Sequence, residues 1–144
     1  MDDVMVAAAK ALATAAHATQ TDKAGRPYIT HPQRVAARVA GDSRAEAAAW
    51  LHDVVEDSSI TLADLAADGF DPEIIRAVDA LTRRDGEPPE DYYARIRAVP
   101  LALRVKFADL ADNTDPHRLA ALDDATRERL IRKYAATQAA LTGV

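Results

Sequence analysis

The segment from Glu46 to Ser58 ends in a cluster of four titratable side chains at helical spacing: His52, Asp53, Glu56 and Asp57. At about 100° per residue they fall on one arc of a helix, and the opposite arc is apolar. Side chains three or four residues apart are neighbours on a helix. This face could therefore hold a metal ion at one end and activate a water molecule at the other. A polar face that only meets solvent would show the same spacing, so both interpretations stay open at this point.

Composition limits the kind of metal site that this chain could build. Its 144 residues include no cysteine, so histidine nitrogen and carboxylate oxygen would have to supply the ligands. Apolar residues make up 49% of the chain and aromatic residues only 5%, which favours a core of closely packed alanine, leucine, valine and isoleucine. The sequence predicts an all-α class and a compact single domain over residues 1–144.

Charge and hydropathy limit the kinds of partner that this chain could bind. The formal net charge of −5 argues against a nucleic acid or an anionic membrane surface as partner, but a small anionic substrate remains compatible with a local basic pocket. No run of about 18 apolar residues is present, and the acidic start differs from a signal peptide. A soluble, cytoplasmic protein is predicted, and no feature of the sequence specifies an oligomeric state.

Apolar periodicity and capping residues predict the helices that would position these side chains. They cover residues 2–19, about 30–41, 43–57, 61–69, 71–81, 90–99 and 123–141, with further helical spacing between residues 101 and 116. The segment 83–99 is a loop followed by a short helix, and it is a candidate for a flap. No repeat, glycine-rich phosphate loop or nucleophile motif is present, so any phosphate chemistry must depend on a metal.

Two more candidate ligands lie far from the central segment in the chain. His31 begins a helix next to Pro32, where a histidine could equally cap the helix or pack against it. Asp109 lies in an apolar stretch, where an unpaired carboxylate would be costly, so it requires a cation. That cation could be a metal ion, Lys106 three residues earlier, or an arginine elsewhere in the chain.

Two further polar side chains are candidates for contact with a substrate. Lys23 lies in the loop from Asp22 to Pro27, and Asn113 follows Asp109 by four residues and so shares its helix face. Lys23 could be ordinary surface charge, or it could face a phosphate group if an anion site lies beside it.

In chain order, these residues resemble the HD metal-dependent phosphohydrolases, and in particular the hydrolase domain of RelA/SpoT-type enzymes and the stand-alone small alarmone hydrolases. The resemblance extends from the first helix to about Tyr134. The motifs that carry it are Ala16-His17-Ala18-Thr19-Gln20, Lys23, Gly25, Pro27-Tyr28-Ile29-Thr30-His31-Pro32, His52-Asp53-Val54-Val55-Glu56-Asp57-Ser58, Val105-Lys106-Phe107-Ala108-Asp109 and Asn113.

The resemblance implies an all-helical fold with one Mn²⁺ ion held by His31, His52, Asp53 and Asp109. This donor set suits Mn²⁺ or another divalent ion, including iron or zinc. By the same resemblance, Glu56 and Asp57 orient and deprotonate the attacking water, while Lys23 and Asn113 contact the substrate. The metal would lower the pKa of the water and polarise the phosphate. The implied reaction is removal of pyrophosphate from the 3′ position of (p)ppGpp.

Two positions depart from the family pattern. The family commonly has an Arg-Lys pair where this chain has Asp22-Lys23, so the guanidinium expected to stack on guanine is missing. The family run Asp-Arg-Leu-His-Asn is here Asp109-Leu110-Ala111-Asp112-Asn113, which changes the surroundings of the metal ligands.

The sequence therefore leaves three functions open. The first is a manganese-dependent (p)ppGpp 3′-pyrophosphohydrolase. The second is an HD phosphohydrolase that acts on another phosphorylated nucleotide or nucleotide cofactor, because Asp22 could repel phosphate. The third is a nucleotide-binding module without turnover, which the presence of both Glu56 and Asp57 disfavours. Each takes a small phosphorylated nucleotide as its ligand.

Overall fold

The computed structural model describes residues 2–143, with side chains from Asp3 onward. Met1 and Val144, the two ends of the predicted domain, lie outside the described residues, and the domain limits stay a prediction. Ten helices are present in the described part: α1 (Asp2–Ala16), α2 (Thr30–Arg38), α3 (Ser43–Leu51), α4 (Val54–Asp57), α5 (Leu62–Ala67), α6 (Pro72–Leu81), α7 (Pro89–Arg97), α8 (Pro100–Asn113), α9 (Pro116–Ala120) and α10 (Asp124–Thr142).

The predicted all-α class is confirmed. Apart from an isolated β-bridge between Thr21 and Pro27, residues 2–143 consist of helices, turns and loops. None of the helices in this range has the length and apolar character needed to cross a bilayer. The predicted cytoplasmic location stays a prediction.

Helix α3 lies at the centre of the bundle and contacts α1, α2, α6 and α8. Four of its alanines are fully buried: Ala45, Ala47, Ala48 and Ala49. Side chains this small allow neighbouring helices to approach closely, because the distance between helix axes depends on the side chains at the contact. Since α2 and α8 also contact each other, the start of α2, the end of α3 and the second half of α8 are brought together.

The predicted continuous helix over residues 43–57 is wrong, because the chain breaks between α3 and α4. The carbonyl of Ala49 accepts a hydrogen bond from Nδ1 of His52 at 2.6 Å and one from its backbone N–H at 3.5 Å, which tightens the end of α3. Asp53 follows in a turn with φ −109° and ψ −1°, well away from ideal α-helical values. His52 consequently turns into the interior, whereas Glu56 and Asp57 stay exposed on α4.

Residues 83–99, the candidate flap, are held to the rest of the bundle through α7. Tyr92 and Ile96 of α7 are 3% and 0% exposed and belong to the core. Arg95 ties the preceding loop to α7, because its guanidinium donates to both carboxylate oxygens of Glu87 and to the carbonyls of Asp79 and Thr82. Helix α7 is therefore an integral part of the bundle.

Because α7 packs into the core, truncation of Ile96 should destabilise the fold. We expect Ile96→Ala to lower the free energy of unfolding by about 2–5 kcal/mol, because the side chain leaves a cavity in a packed core. Urea denaturation measures the change. The same substitution at Ile131, which is 46% exposed, is the control and should have little effect. Equal and small losses in both variants would show that α7 is not part of the core.

Candidate metal centre

Three buried side chains from three parts of the chain converge on one point. His31 comes from the start of α2, His52 from the turn after α3, and Asp109 from α8. Oδ1 of Asp109 lies 2.7 Å from Nε2 of His31 and 3.4 Å from Nε2 of His52. One ligand atom from each of the three lies within 4.8 Å of the others, a spacing that a single cation could share. The structure thus brings together three of the four predicted metal ligands.

Asp53, the fourth predicted ligand, adjoins the same point. Its Oδ2 lies 3.0 Å from Nε2 of His52 and 4.0 Å from Nε2 of His31. The hydroxyl of Tyr28 donates a hydrogen bond to the same oxygen. Burial and the negative charge of Asp53 raise the pKa of Tyr28, so this hydroxyl remains a donor. Tyr28 was not among the predicted site residues, although it lies only three residues before His31 in a quoted motif.

The hydrogen bonds of the His52 imidazole test whether the site fits a cation. Nδ1 of His52 faces the Ala49 carbonyl, which only accepts, so Nδ1 carries a proton, and in the neutral ring the lone pair lies on Nε2. That Nε2 is buried and has no hydrogen-bond partner among the described residues. Its nearest neighbours are the carboxylates of Asp53 and Asp109, which are also acceptors. Acceptor atoms at this distance require a positive charge between them, and a divalent cation fits.

The charges of the cluster lead to the same conclusion. Burial acts to lower the pKa values of His31 and His52, but the neighbouring carboxylates outweigh it and raise both. Burial acts to raise the pKa of Asp53, but the positive charge of the neighbouring His52 ring lowers it to about 2. Burial likewise opposes ionisation of Asp109, but Lys106 and both imidazoles hold its pKa well below the ordinary range. Ionised carboxylates thus stabilise positive charge here, and a metal ion would replace protons.

The two carboxylate oxygens of Asp109 face two different cation partners that the sequence left open, the candidate metal position and Lys106. While Oδ1 faces the imidazoles, Oδ2 accepts a hydrogen bond from Nζ of Lys106 at 3.1 Å. Oδ1 also accepts from the side-chain amide of Asn113 at 3.2 Å. Asn113 therefore supports a predicted metal ligand as well as lining the cavity in front of it.

Glu56 and Asp57 lie on the exposed rim of the site, one helical turn beyond Asp53. Oε1 of Glu56 accepts the backbone N–H of Arg83 at 2.8 Å, which holds this carboxylate in place. The backbone carbonyl of Asp57 accepts the side-chain amide of Gln20 at 2.9 Å. Partial desolvation, followed by the charges of Asp53 and Glu56, raises the pKa of Asp57. A carboxylate with a raised pKa is a better proton acceptor at neutral pH.

This shift can be measured directly. We expect the Asp57 carboxyl of the metal-free protein to titrate above 3.8, its ordinary value, when followed by ¹³C NMR. In Glu56→Gln the pKa of Asp57 should fall, because one of the negative charges that oppose its ionisation is gone. An Asp57 that titrates below 3.8, or that does not respond to the Glu56 substitution, would contradict this account of the rim.

A cavity of about 530 Å³ opens in front of the cluster. Its walls include the candidate ligands, both rim carboxylates and the aromatic rings of Tyr92 and Tyr134. Six cationic side chains also line it: Lys23, Arg26, Arg83, Lys106, Arg118 and Lys133. These cations outnumber the five carboxylates that line the same cavity, so the lining suits a small phosphate-bearing anion on an otherwise acidic chain.

Asp22 does not point its charge freely into this cavity. Its Oδ1 accepts the backbone N–H groups of Ala24 and Arg26, each at 2.9 Å, and so closes the loop on itself. Its Oδ2 lies 3.6 Å from Nη2 of Arg118, and the side chain is 6% exposed. The repulsion of phosphate expected from Asp22 is therefore reduced by a positive charge beside it, whereas the missing guanidinium is not replaced at this position.

Asp112 and Arg118 are two further residues beside the cluster to which sequence reasoning assigned no role. Asp112 is 1% exposed, and its Oδ2 lies 2.6 Å from Nδ1 of His31. Burial opposes its ionisation, but the hydrogen bonds from His31 and Arg34 lower its pKa to about 2. Asp112 follows Asp109 by three residues, so helical spacing could have placed it on the same face. No local signal indicated Arg118, which reaches the site from α9.

Comparison with known proteins gives one family match and several relatives. A family model described as HD domain matches residues 9–139. The guanosine-3′,5′-bis(diphosphate) 3′-pyrophosphohydrolase of Vibrio cholerae is 34% identical over 131 residues, covering 82% of this chain and 18% of that protein. The bifunctional (p)ppGpp synthase/hydrolase SpoT of Escherichia coli is 33% identical over 130 residues, with the same two coverages. The chain thus spans 18% of the length of these curated relatives.

A solved structure supports the fold. It is described as a metazoan ortholog of SpoT that hydrolyses ppGpp, and it aligns with a TM-score of 0.78 over 96% of this chain and 86% of that chain. At 21% sequence identity this likeness concerns the fold alone. The family match covers nearly the whole bundle, including all four candidate metal ligands, and it confirms the resemblance drawn from the ordered motifs. The chain belongs to the HD domain family.

Proposed function

We propose that this chain is a metal-dependent 3′-pyrophosphohydrolase of guanosine 3′,5′-bis(diphosphate). The observation that carries the proposal is the convergence of two imidazole nitrogens and an Asp109 oxygen, each able to bind a metal ion, at the floor of a cation-lined cavity. The names of the curated relatives support the substrate class. The rim carboxylates Glu56 and Asp57 supply the proton acceptors that hydrolysis needs.

The proposed ligands of one divalent ion are His31, His52, Asp53 and Asp109. Imidazole nitrogen and carboxylate oxygen suit Mn²⁺, which is the ion we propose. When bound, such an ion acts as a Lewis acid that polarises a phosphoryl oxygen and lowers the pKa of water. The remaining chemistry belongs to the side chains around it.

Glu56 and Asp57 are proposed to orient the attacking water and accept its proton. The oxygen of the water forms a bond to the phosphorus attached to the ribose 3′ oxygen, and the bond between that phosphorus and the 3′ oxygen breaks. The 3′ oxygen takes up a proton, and the products are pyrophosphate and a nucleoside 5′-diphosphate with a free 3′ hydroxyl. The backbone N–H of Arg83 keeps Glu56 aimed at the cavity during this step.

Lys23 and Asn113 are proposed substrate contacts. Lys23 lies in the loop at the cavity wall, where an exposed ammonium can meet a phosphate group. Asn113 donates one hydrogen bond to Asp109, and its amide oxygen accepts from Nη1 of Arg118 at 3.0 Å. Its carboxamide is thereby fixed in direction, which suits contact with the ribose or a nearby phosphate.

The test is product analysis with and without metal. Protein that is first freed of metal and then loaded with Mn²⁺ is expected to convert ppGpp to GDP and pyrophosphate in equal amounts. Chelation of the metal should stop the reaction. Pyrophosphate is scored by phosphate release with and without added inorganic pyrophosphatase. A protein that binds Mn²⁺ and leaves ppGpp intact would refute the proposed activity.

A second candidate is hydrolysis of another phosphorylated nucleotide or nucleotide cofactor. The observation that favours it is Asp22, whose carboxylate closes the loop where the related enzymes commonly carry the guanidinium for guanine. A substrate panel separates the two candidates. Release of inorganic phosphate from another nucleotide at a higher kcat/KM than pyrophosphate release from ppGpp would favour the second. Thermal stabilisation by nucleotides without any product would instead indicate a binding module.

A further inference from the structure

We infer that Asp112 is a positioning residue that fixes the orientation and tautomer of His31. The inference rests on the proposed metal-dependent function, since it concerns how one proposed ligand is presented. Oδ2 of Asp112 lies 2.6 Å from Nδ1 of His31, on the side of the ring opposite the cluster. Both side chains are at least 96% buried, so no bulk water competes for this hydrogen bond.

The surroundings of Asp112 make it an acceptor and not a donor. Nε of Arg34 donates to Oδ1 at 2.8 Å, and Nη1 of Arg118 donates to Oδ2 at 2.8 Å. A carboxylate between two guanidinium groups stays ionised, because a proton on it would face these donors. The proton shared with His31 therefore resides on Nδ1, and in the neutral ring the Nε2 lone pair points towards Asp109.

Arg118 connects this arrangement to the loop at the cavity wall. Its Nη1 contacts Asp112, while its Nη2 lies 3.6 Å from Oδ2 of Asp22. Both departures from the family pattern, Asp22 and Asp112, therefore meet at one guanidinium. The two acidic residues act as one unit, in which Asp22 helps to hold Arg118 and Arg118 helps to keep Asp112 ionised.

A carboxylate behind a metal-binding imidazole aligns the ring and makes its other nitrogen a better ligand. The Asp112→Asn variant should disturb this. An asparagine at this position must turn its NH₂ group either towards His31 and Arg118 or towards Arg34, and each choice places donors face to face. We expect Mn²⁺ affinity to fall by about 10- to 100-fold, as for other partners of metal-ligating histidines.

The experiment is calorimetric titration of metal-free protein with Mn²⁺, together with the unfolding temperature in EDTA. Asp115→Asn is the matched control, because Asp115 caps α9 and pairs with Arg38 away from the cluster. Its Mn²⁺ affinity should not change. Arg34→Gln separates positioning from general stability: it weakens the buried ion pair but keeps the bond between Asp112 and His31. We expect it to lower the unfolding temperature with a much smaller change in affinity.

Equal losses of affinity in Asp112→Asn and Arg34→Gln, in proportion to their losses of stability, would overturn the positioning role. An unchanged affinity in Asp112→Asn would do the same. The wild-type protein offers a second measurement that does not require a folded variant or a bound metal. In its ¹⁵N–¹H spectrum, recorded at a pH where the His31 ring is neutral, Nδ1 is expected to carry the proton, and a proton on Nε2 instead would overturn the inference. If the wild type binds no Mn²⁺, the proposed function fails while this spectrum still decides the tautomer.

Discussion

The Glu56→Gln variant is expected to bind Mn²⁺ as the wild type does and to hydrolyse its substrate about 10²- to 10⁴-fold more slowly, the range for loss of a general acid or base. Glutamine has the same shape and still accepts the backbone N–H of Arg83, so the loop should not move. Only the ability to hold a negative charge and receive a proton is lost. The reduction should therefore appear in kcat at saturating Mn²⁺.

The control for this variant is Glu90→Gln, the same chemical change in the first turn of α7, on an exposed residue outside the cavity lining. It should retain wild-type kcat. A Glu56→Gln variant with wild-type kcat would remove Glu56 from the proposed chemistry. A variant with full kcat only at much higher Mn²⁺ would instead make Glu56 part of the metal site.

The Asp53→Asn variant is expected to lose both metal binding and activity. Substitution of a residue that only supports a metal ligand typically lowers metal affinity by about 10- to 100-fold. Loss of a charged ligand should lower the affinity further. The hydroxyl of Tyr28 can still donate to the amide oxygen, so the fold should be retained. Calorimetric titration with Mn²⁺, alongside the pyrophosphate assay, measures both effects.

Asp68→Asn provides the matched control for this variant, because Asp68 is exposed at the end of α5 and lies outside the cavity lining. It should bind Mn²⁺ and turn over as the wild type does. If Asp53→Asn retained wild-type affinity, Asp53 would not be a ligand, and His31, His52 and Asp109 would have to hold the ion with other partners.

Much of the candidate site could be predicted because its residues are local in sequence or typical of a family. The order and types of His52, Asp53, Glu56 and Asp57 marked the segment, although the helix expected to carry all four breaks after α3, and an unpaired Asp109 in an apolar stretch indicated a need for a cation. The all-α class followed from composition and periodicity. These signals depend only on residue type and spacing, which is why they are visible without coordinates.

Other features depend on contacts that no local pattern contains. The break after α3 arises because Nδ1 of His52 takes the Ala49 carbonyl, a competition that periodicity cannot predict. Asp112 meets His31 across 81 positions of sequence, and Arg118 reaches back towards Asp22. The charge on Asp22 was expected to repel phosphate, but its two backbone hydrogen bonds and Arg118 direct it into the loop.

The most direct test of the central claim is anomalous X-ray scattering at the manganese edge from crystals of the Mn²⁺-loaded protein. One strong peak is expected within coordination distance of His31, His52, Asp53 and Asp109, at the floor of the cation-lined cavity. A protein that binds no manganese there, or a peak elsewhere on the surface, would contradict the claim that these four side chains share one ion.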